Sequence, residues 1–328
     1  MTEPALQVQS VTRSFGADGQ RIKALDSVSF DVRSGEIVAL LGANGAGKTT
    51  LVKIASTLLL PTGGTVRVLG ADVVEHTRQA RRLVGVVFGG DRGLYTRISG
   101  RENLRFFGML AGLPKALLRE RVPAMLASVG LADAADRRVE TYSRGMKQRL
   151  HIAIGLIADP RVLLLDEPTV GLDPIEADRL RDTVARLRSD GVAVLLTSHY
   201  LLDVERLADR VVMLDHGRLT ADQPLAQFAE RAGYAAVVAV RVRGELDDPG
   251  QLLPHGMSVD SLERTADGTE LTLRLRSWDG GALTRIGELL KGRDLLDMQV
   301  RPARLEESFA SSLDAPADAS ASASDVTA

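Results

Sequence analysis

Apolar and polar positions alternate one for one near the start of the chain. Leu6-Gln7-Val8-Gln9-Ser10-Val11 and Val28-Ser29-Phe30-Asp31-Val32 both show that period of two, which predicts two half-buried strands. Phe15 and a polar turn from Gly16 to Gln20 lie between them. Ser34-Gly35 turns the chain into Glu36-Ile37-Val38-Ala39-Leu40-Leu41, an apolar run that predicts a buried strand, and Thr50 to Leu59 predicts the helix after it. Pro61-Thr62-Gly63-Gly64 is a breaker cluster. Thr65-Val66-Arg67-Val68 predicts a further strand and Arg78 to Arg82 a short helix. Leu83-Val84-Gly85-Val86-Val87-Phe88 is continuously apolar, which predicts a strand buried on both faces.

The period then changes. From Arg101 to about Gly130 the pattern is helical, punctuated by Pro114 and Pro123. Ser143 to Ala158 predicts a second helix, with Leu150, Ile154 and Ile157 at helical spacing and Pro160 as its stop. These helices interrupt a strand–helix alternation, so they predict an inserted helical subdomain over about residues 100–158. The alternation resumes with a strand at Val162-Leu163-Leu164-Leu165, a helix from Ile175 to Ser189, a strand from Val192 to Thr197, a helix from Tyr200 to Ala208 and a strand from Arg210 to Leu214. Such alternation predicts an α/β fold with a mainly parallel sheet covered by helices and ligands at the carboxyl ends of its strands.

His216-Gly217 turns the chain out of that last strand, and Gln223 to Ala232 predicts a short helix. Composition shifts from Ala235. Ala236 to Arg243 and Leu271 to Arg276 predict strands, Ala282 to Leu290 a helix, and Ala303 to Leu313 a terminal helix. The expected organisation is a main domain over 1–232, a small α+β accessory domain over 233–313, and a disordered Ala/Ser/Asp tail over 314–328.

The 328 residues suffice for one large domain or two, and the net charge of −2 implies no general attraction to nucleic acid or acidic lipid. The chain has no cysteine, which excludes disulfides and thiolate metal sites and suits a reducing compartment. The first residues carry no basic-then-apolar signal pattern, and no apolar run reaches the length of a bilayer span. A soluble protein is therefore expected, whose membrane role, if any, needs a partner.

The densest chemistry lies between the first apolar strand and its helix. Gly42-Ala43-Asn44-Gly45-Ala46-Gly47-Lys48-Thr49 fits the phosphate-cradling pattern G-x-x-x-x-G-K-[ST] without a mismatch. Glycines allow a tight turn whose N–H groups face an anion, and the helix that follows from Thr50 points its positive end there. Lys48 is placed for the β- and γ-phosphates and the Thr49 hydroxyl for Mg²⁺. ATP and Mg²⁺ are the expected ligands. Asp166, after four apolar residues, matches the second nucleotide motif of phosphate-loop NTPases, with its carboxylate in the Mg²⁺ shell. Glu167 beside it is placed to polarise an attacking water as general base. His199 at another strand end is either a satisfied structural histidine or a donor to the γ-phosphate, and spacing alone makes Phe15 a core aromatic.

More stretches complete a set. Tyr142-Ser143-Arg144-Gly145-Met146-Lys147-Gln148-Arg149 resembles the signature of ABC transporter ATPases. Gly171-Leu172-Asp173 resembles their D-loop, Thr197-Ser198-His199 their switch histidine, and Val11-Thr12-Arg13-Ser14-Phe15-Gly16 the segment whose aromatic stacks on adenine. The resemblance spans Leu6 to Leu219. It implies an antiparallel β subdomain beside the parallel core sheet. It also implies a sandwich dimer with a second copy or a paralogous subunit, in which Ser143 and the Gly145 amide meet the γ-phosphate held by the facing Lys48 loop. ATP would close the dimer, hydrolysis would open it, and the motion would drive an integral membrane subunit from its cytoplasmic face. Arg304-Leu305-Glu306-Glu307-Ser308-Phe309 resembles a terminal helix of bacterial drug- and antibiotic-export ATPases, which favours export over import. Besides an importer ATPase, a soluble ABC protein acting on ribosomes or DNA is the alternative reading. One phosphate loop, no sustained heptads and no cysteines weigh against it, and no nucleic-acid partner is expected.

Two positions depart from the family pattern. Gly90 stands where a glutamine usually touches Mg²⁺, with Asp91 as the nearest substitute. Arg144 stands where the signature usually has glycine, and is expected to point away from the nucleotide.

Overall fold

The computed structural model describes residues 3–16, 21–90, 93–231, 236–244, 246, 253, 256–265 and 268–302. Two compact units divide the chain, Met1–Leu225 and Ala226–Ala328. The first opens with β1 (Leu6–Phe15), β2 (Ile22–Val32), β3 (Ile37–Leu41), α1 (Lys48–Ala55), β4 (Gly63–Val68), β5 (Ala71–Asp72), α2 (Thr77–Leu83) and β6 (Val84–Phe88). A helical insertion follows: α3 (Gly100–Leu110), α4 (Lys115–Ser128), short 3-10 turns at Ala132–Ala134 and Val139–Thr141, and α5 (Arg144–Leu156). Then come β7 (Val162–Asp166), α6 (Pro174–Ser189), β8 (Ala193–Thr197), α7 (Leu201–Leu207), β9 (Arg210–Asp215) and β10 (Arg218–Pro224), and α8 (Leu225–Arg231) leads from the end of this unit into the second.

Two sheets build this unit. One is antiparallel with order β2-β1-β4-β5, and the other has order β10-β9-β3-β8-β7-β6. In the second, β3 pairs parallel with β8 and β9, and β7 pairs parallel with β8 and β6. The period of two splits its apolar strands between two cores. Val162, Leu164 and Leu195 join β1, β2, β4 and α1 in one, while Leu163, Leu165 and Leu196 join α4, α5 and α6 in the other. That is why these strands read as unbroken apolar runs: both faces are covered. Each fully buried leucine contributes roughly 1.5–3 kcal/mol.

Three expectations need correction. β6 is an edge strand: Val84 and Val86 are half-buried and Phe88 is exposed. Its two faces are covered unequally: Val87 is buried in one core, while Val84 and Val86 pack half-buried against the other. The helix after the phosphate loop stops at Ala55, not Leu59, because Thr57 enters the left-handed region at φ 64. The Leu58 and Leu59 N–H groups then fold back onto the Lys53 carbonyl, a helix-ending turn. Gly63 and Gly64 lie inside β4 rather than in a breaker, because β1 passes so close there that a Cβ on Gly64 would fall 2.5 Å from the Gln9 carbonyl oxygen.

The second unit is described on its own. β11 (Ala236–Val242), β12 (Met257–Thr265), β13 (Gly268–Leu275), α9 (Gly280–Leu289) and β14 (Leu295–Pro302) form an antiparallel sheet of order β12-β13-β11-β14 with one helix. Val238, Val240, Val242, Leu271, Leu273 and Leu275 pack with Ala282 and Ile286 of α9 as its core. The expected terminal helix, its Leu305–Phe309 motif, the tail and Asp91 lie outside the described residues. Among the described residues no helix is long and apolar enough to cross a membrane.

Candidate active site

β3 delivers the chain to the loop at residues 42–47, and the loop's glycines answer different demands. A Cβ on Gly47 would fall 2.5 Å from the Ala24 carbonyl oxygen and 2.8 Å from Leu25 Cδ2, and one on Gly42 would collide with the Leu214 carbonyl. These two seat the loop on β2 and β9. Gly45 has a positive φ of 86 and nothing within 4 Å of a built Cβ, so it forms the open side of the cradle. Ala43, Asn44 and Thr49 are exposed there, Ala46 is buried and Thr50 half-buried. Lys48 Nζ donates to the Gly42 and Ala43 carbonyls at 2.6 and 3.0 Å. Its burial pushes the ammonium below the ordinary lysine range, and the Glu167 and Asp166 carboxylates act against that.

The ends of β7 and β8 bring the predicted acids and histidine to this loop. Asp166 Oδ1 accepts from Thr197 Oγ1 at 2.6 Å and lies 3.5 Å from Thr49 Oγ1. Glu167 sits in the left-handed region at φ 53, a conformation a non-glycine residue adopts at a cost of about 1–2 kcal/mol. Its N–H meets both the Thr197 carbonyl, at 3.0 Å, and the Thr197 hydroxyl, at 3.1 Å. Those bonds hold the strained turn. Glu167 Oε1 lies 3.3 Å from His199 Nδ1. Of the two readings of His199, this contact favours the one that places it in the site. Among the described residues no group of three or more His, Cys, Asp or Glu is arranged to hold a metal ion. The oxygen donors at the loop are Thr49 and Asp166, a set that fits a hard cation carried in with phosphate oxygens and water.

Beneath these residues lies a network that sequence reasoning missed. Asp203 of α7 is fully buried and accepts from Arg181 Nε at 2.8 Å, Ser198 Oγ at 2.8 Å and Thr169 Oγ1. It ties the segment after Glu167 to the segment before His199. The available signal was an aspartate on the apolar stripe of a short helix, among Leu201, Val204 and Leu207.

The signature residues are grouped elsewhere in the unit. Ser143 caps α5, its hydroxyl accepting from the Met146 N–H at 3.2 Å, which leaves the hydroxyl proton free to be donated. Gly145 is buried against Glu176, which lies 3.1 Å from Arg149 Nη2. Asp173 caps α6, accepting from the Glu176 N–H at 3.0 Å. Phe15 is 40% exposed, with the Arg13 guanidinium 4.6 Å from its ring centroid, so the core reading of this aromatic is wrong. β1 runs past the predicted strand end and carries Phe15 to the surface. Gly90 has φ 100, and among the described residues nothing lies within 4 Å of a Cβ built there. A side chain there would strain the backbone rather than crowd a neighbour.

Comparison with known proteins agrees with this geometry. Residues 25–170 match the ABC transporter family model. The chain is 43% identical over 229 residues to the doxorubicin resistance ATP-binding protein DrrA of Mycobacterium tuberculosis, covering 70% of this chain and 68% of that protein. It is 37% identical over 311 residues to the daunorubicin resistance ATP-binding protein DrrA3 of Streptomyces coeruleorubidus, covering 94% and 96%. A solved ATP-binding subunit of an ABC transporter superposes with a TM-score of 0.61 at 31% identity, over 70% of this chain and 93% of that one. A dimeric ATP-binding cassette in a post-hydrolysis state bound to ADP and Pi superposes with a TM-score of 0.60 at 25% identity, over 67% and 98%. With a complete phosphate loop, strand-end acids and histidine meeting at it, and relatives matched over 68% and 96% of their length, the chain belongs to the ABC transporter family as one of its ATP-hydrolysing subunits.

Proposed function

We propose that two copies of this chain, or this chain and a paralogue, close over ATP and thereby drive a separate membrane-spanning subunit that exports a drug-like compound. The observation that carries this reading is the division of the site into two groups. Lys48, Thr49, Asp166, Glu167 and His199 converge on the phosphate loop, while Gly145, two residues after Ser143, packs on Glu176 and Asp173 accepts from the Glu176 N–H. Two half-sites on one chain are complementary to a second chain that offers the same pair. Relatives named for doxorubicin and daunorubicin resistance support export. The work would be done at the cytoplasmic face of the membrane, through the partner subunit.

In this reading Lys48 exchanges its loop carbonyls for the β- and γ-phosphate oxygens. The amides of residues 43–48 and the start of α1 hold the rest of the triphosphate, with Thr50 in the first turn, and Phe15 stacks on the adenine. Thr49 and Asp166 are the residues that would hold Mg²⁺, which when bound neutralises charge on the β- and γ-oxygens. Glu167 takes the proton of the attacking water, and His199 orients Glu167 while donating toward the γ-phosphate. Ser143 and the Gly145 amide, from the facing chain, meet the same phosphate, and Asp173 approaches across the interface.

Because each site would need two chains, ATP turnover per chain should rise with protein concentration and then level off. Turnover independent of concentration in a chain that remains monomeric by light scattering would refute the sandwich. The second unit lies outside all of these motifs. A chain ending at Arg231 should therefore bind ATP within about twofold of the full-length affinity, read by calorimetry. A folded truncation with a tenfold weaker Kd would give the second unit a part in the site.

A further inference from the structure

We propose that Arg144 locks the signature loop to the D-loop of its own chain, so that the signature's engagement of a facing nucleotide sets the position of Asp173. The proposal rests on the sandwich reading above and adds a positioning residue to it. Arg144 occupies a place where the family usually has glycine. Its side chain is exposed to solvent at the start of α5, yet its guanidinium lies flat against Gly171: a Cβ built there would collide with both terminal nitrogens and with Cζ. Gly171 has φ +69, so the missing Cβ serves two purposes, the backbone turn and the guanidinium's seat.

A second contact makes this a two-point attachment. Gly145, the next residue, packs on the Glu176 side chain, with a built Cβ only 2.6 Å from Glu176 Cγ. Asp173 lies between the two seats, at residues 171 and 176. The base of the assembly is anchored in turn. Arg149, buried in α5, lies 3.1 Å from Glu176 Oε2 and donates to the Val129 and Gly130 carbonyls at 3.1 and 3.2 Å. Leu172 N–H bonds back to the Thr169 carbonyl at 3.1 Å, which closes the turn. A displacement of the α5 N-terminus therefore carries residues 171–173 with it. A glycine at position 144 would leave only the Gly145 seat.

The test uses the full-length chain. In the Glu167→Gln background, ATP and Mg²⁺ should produce a dimer on size exclusion. If that background stays monomeric, the sandwich reading fails and the role of Arg144 fails with it. Given the dimer, Arg144→Ala in the same background should still dimerise within about threefold of the parent's ATP requirement. In the otherwise wild-type chain it should lower kcat by about 2- to 30-fold, the range of coupling changes made by residues that touch no ligand. Arg144→Lys should behave like Arg144→Ala, since an ammonium lacks the planar fork that lies on Gly171. A double-mutant cycle separates positioning from mere support. If Arg144 acts through Asp173, Arg144→Ala should have little further effect on kcat in an Asp173→Ala chain. Additive losses, an unchanged kcat in Arg144→Ala, or loss of ATP-dependent dimerisation in the Glu167→Gln/Arg144→Ala chain would each overturn the proposal. The last would make Arg144 a phosphate contact instead.

Discussion

Glu167→Gln should lower ATP turnover by about 10²–10⁴-fold, the usual loss on removing a general base. The geometry concentrates this effect on the side chain. The backbone of residue 167 is fixed by two bonds to Thr197, at 3.0 and 3.1 Å, and neither involves the carboxylate. Gly89 packs on the next peptide, where a Cβ would fall 2.5 Å from the Glu167 carbonyl oxygen. Glutamine keeps the shape and the neighbourhood of His199 but cannot accept the proton. Binding steps that precede proton transfer survive, so ATP should accumulate in a closed dimer. Single-turnover kinetics alongside size exclusion with ATP and Mg²⁺ check both halves. Wild-type turnover in a chain that stays monomeric would remove Glu167 from its assigned role.

The second large effect concerns stability. Asp203→Ala should destabilise the chain by about 3–5 kcal/mol, because it leaves the Arg181 guanidinium charged and buried without its partner. The Thr169 and Ser198 hydroxyls lose their acceptor as well. Asp178 also pairs with Arg181, at 2.8 Å, but from a half-exposed position that recovers little. Urea denaturation followed by circular dichroism measures the difference. A loss below about 1 kcal/mol would mean that water or a rearranged Arg181 satisfies the site. The same substitution loosens the segments on either side of Glu167 and His199, so activity should fall even in the folded fraction.

The parallel core was legible because both faces of its strands are covered, which leaves runs such as Val162–Leu165 almost without polar residues. The phosphate loop and strand-end acids were legible because their chemistry is written in consecutive residues. Edge strands were not: β12 and β14 carry Ser258, Asp260, Glu263, Asp297 and Gln299 among their apolar positions, as strands with one open edge can. β6 erred in the other direction, since an apolar run alone does not distinguish the middle of a sheet from its margin. Phe15 was misread because a single aromatic at a strand end carries no periodicity to say which way it faces. Apart from the local Ser198 contact, the Asp203 network and the seat of Arg144 on Gly171 join residues 22–34 and 27 positions apart. No local pattern encodes such pairs.

The strand order of the core sheet also bears on how the chain is made. β3, which leads into the phosphate loop, has both of its hydrogen-bonding edges filled by β8 and β9, at Leu195 against Val38 and at Arg210 against the same residue. Neither partner exists until some 150–170 residues more have been synthesised. At about 5–20 residues per second, Val38 to Leu41 spend roughly 10–30 s as an apolar segment with two unpaired edges. Such a segment is a template for pairing with other chains. Synthesis of this subunit thus includes an interval in which its most ligand-critical strand is also its most exposed to misassembly. The late-emerging β8 and β9, rather than the loop itself, end that interval.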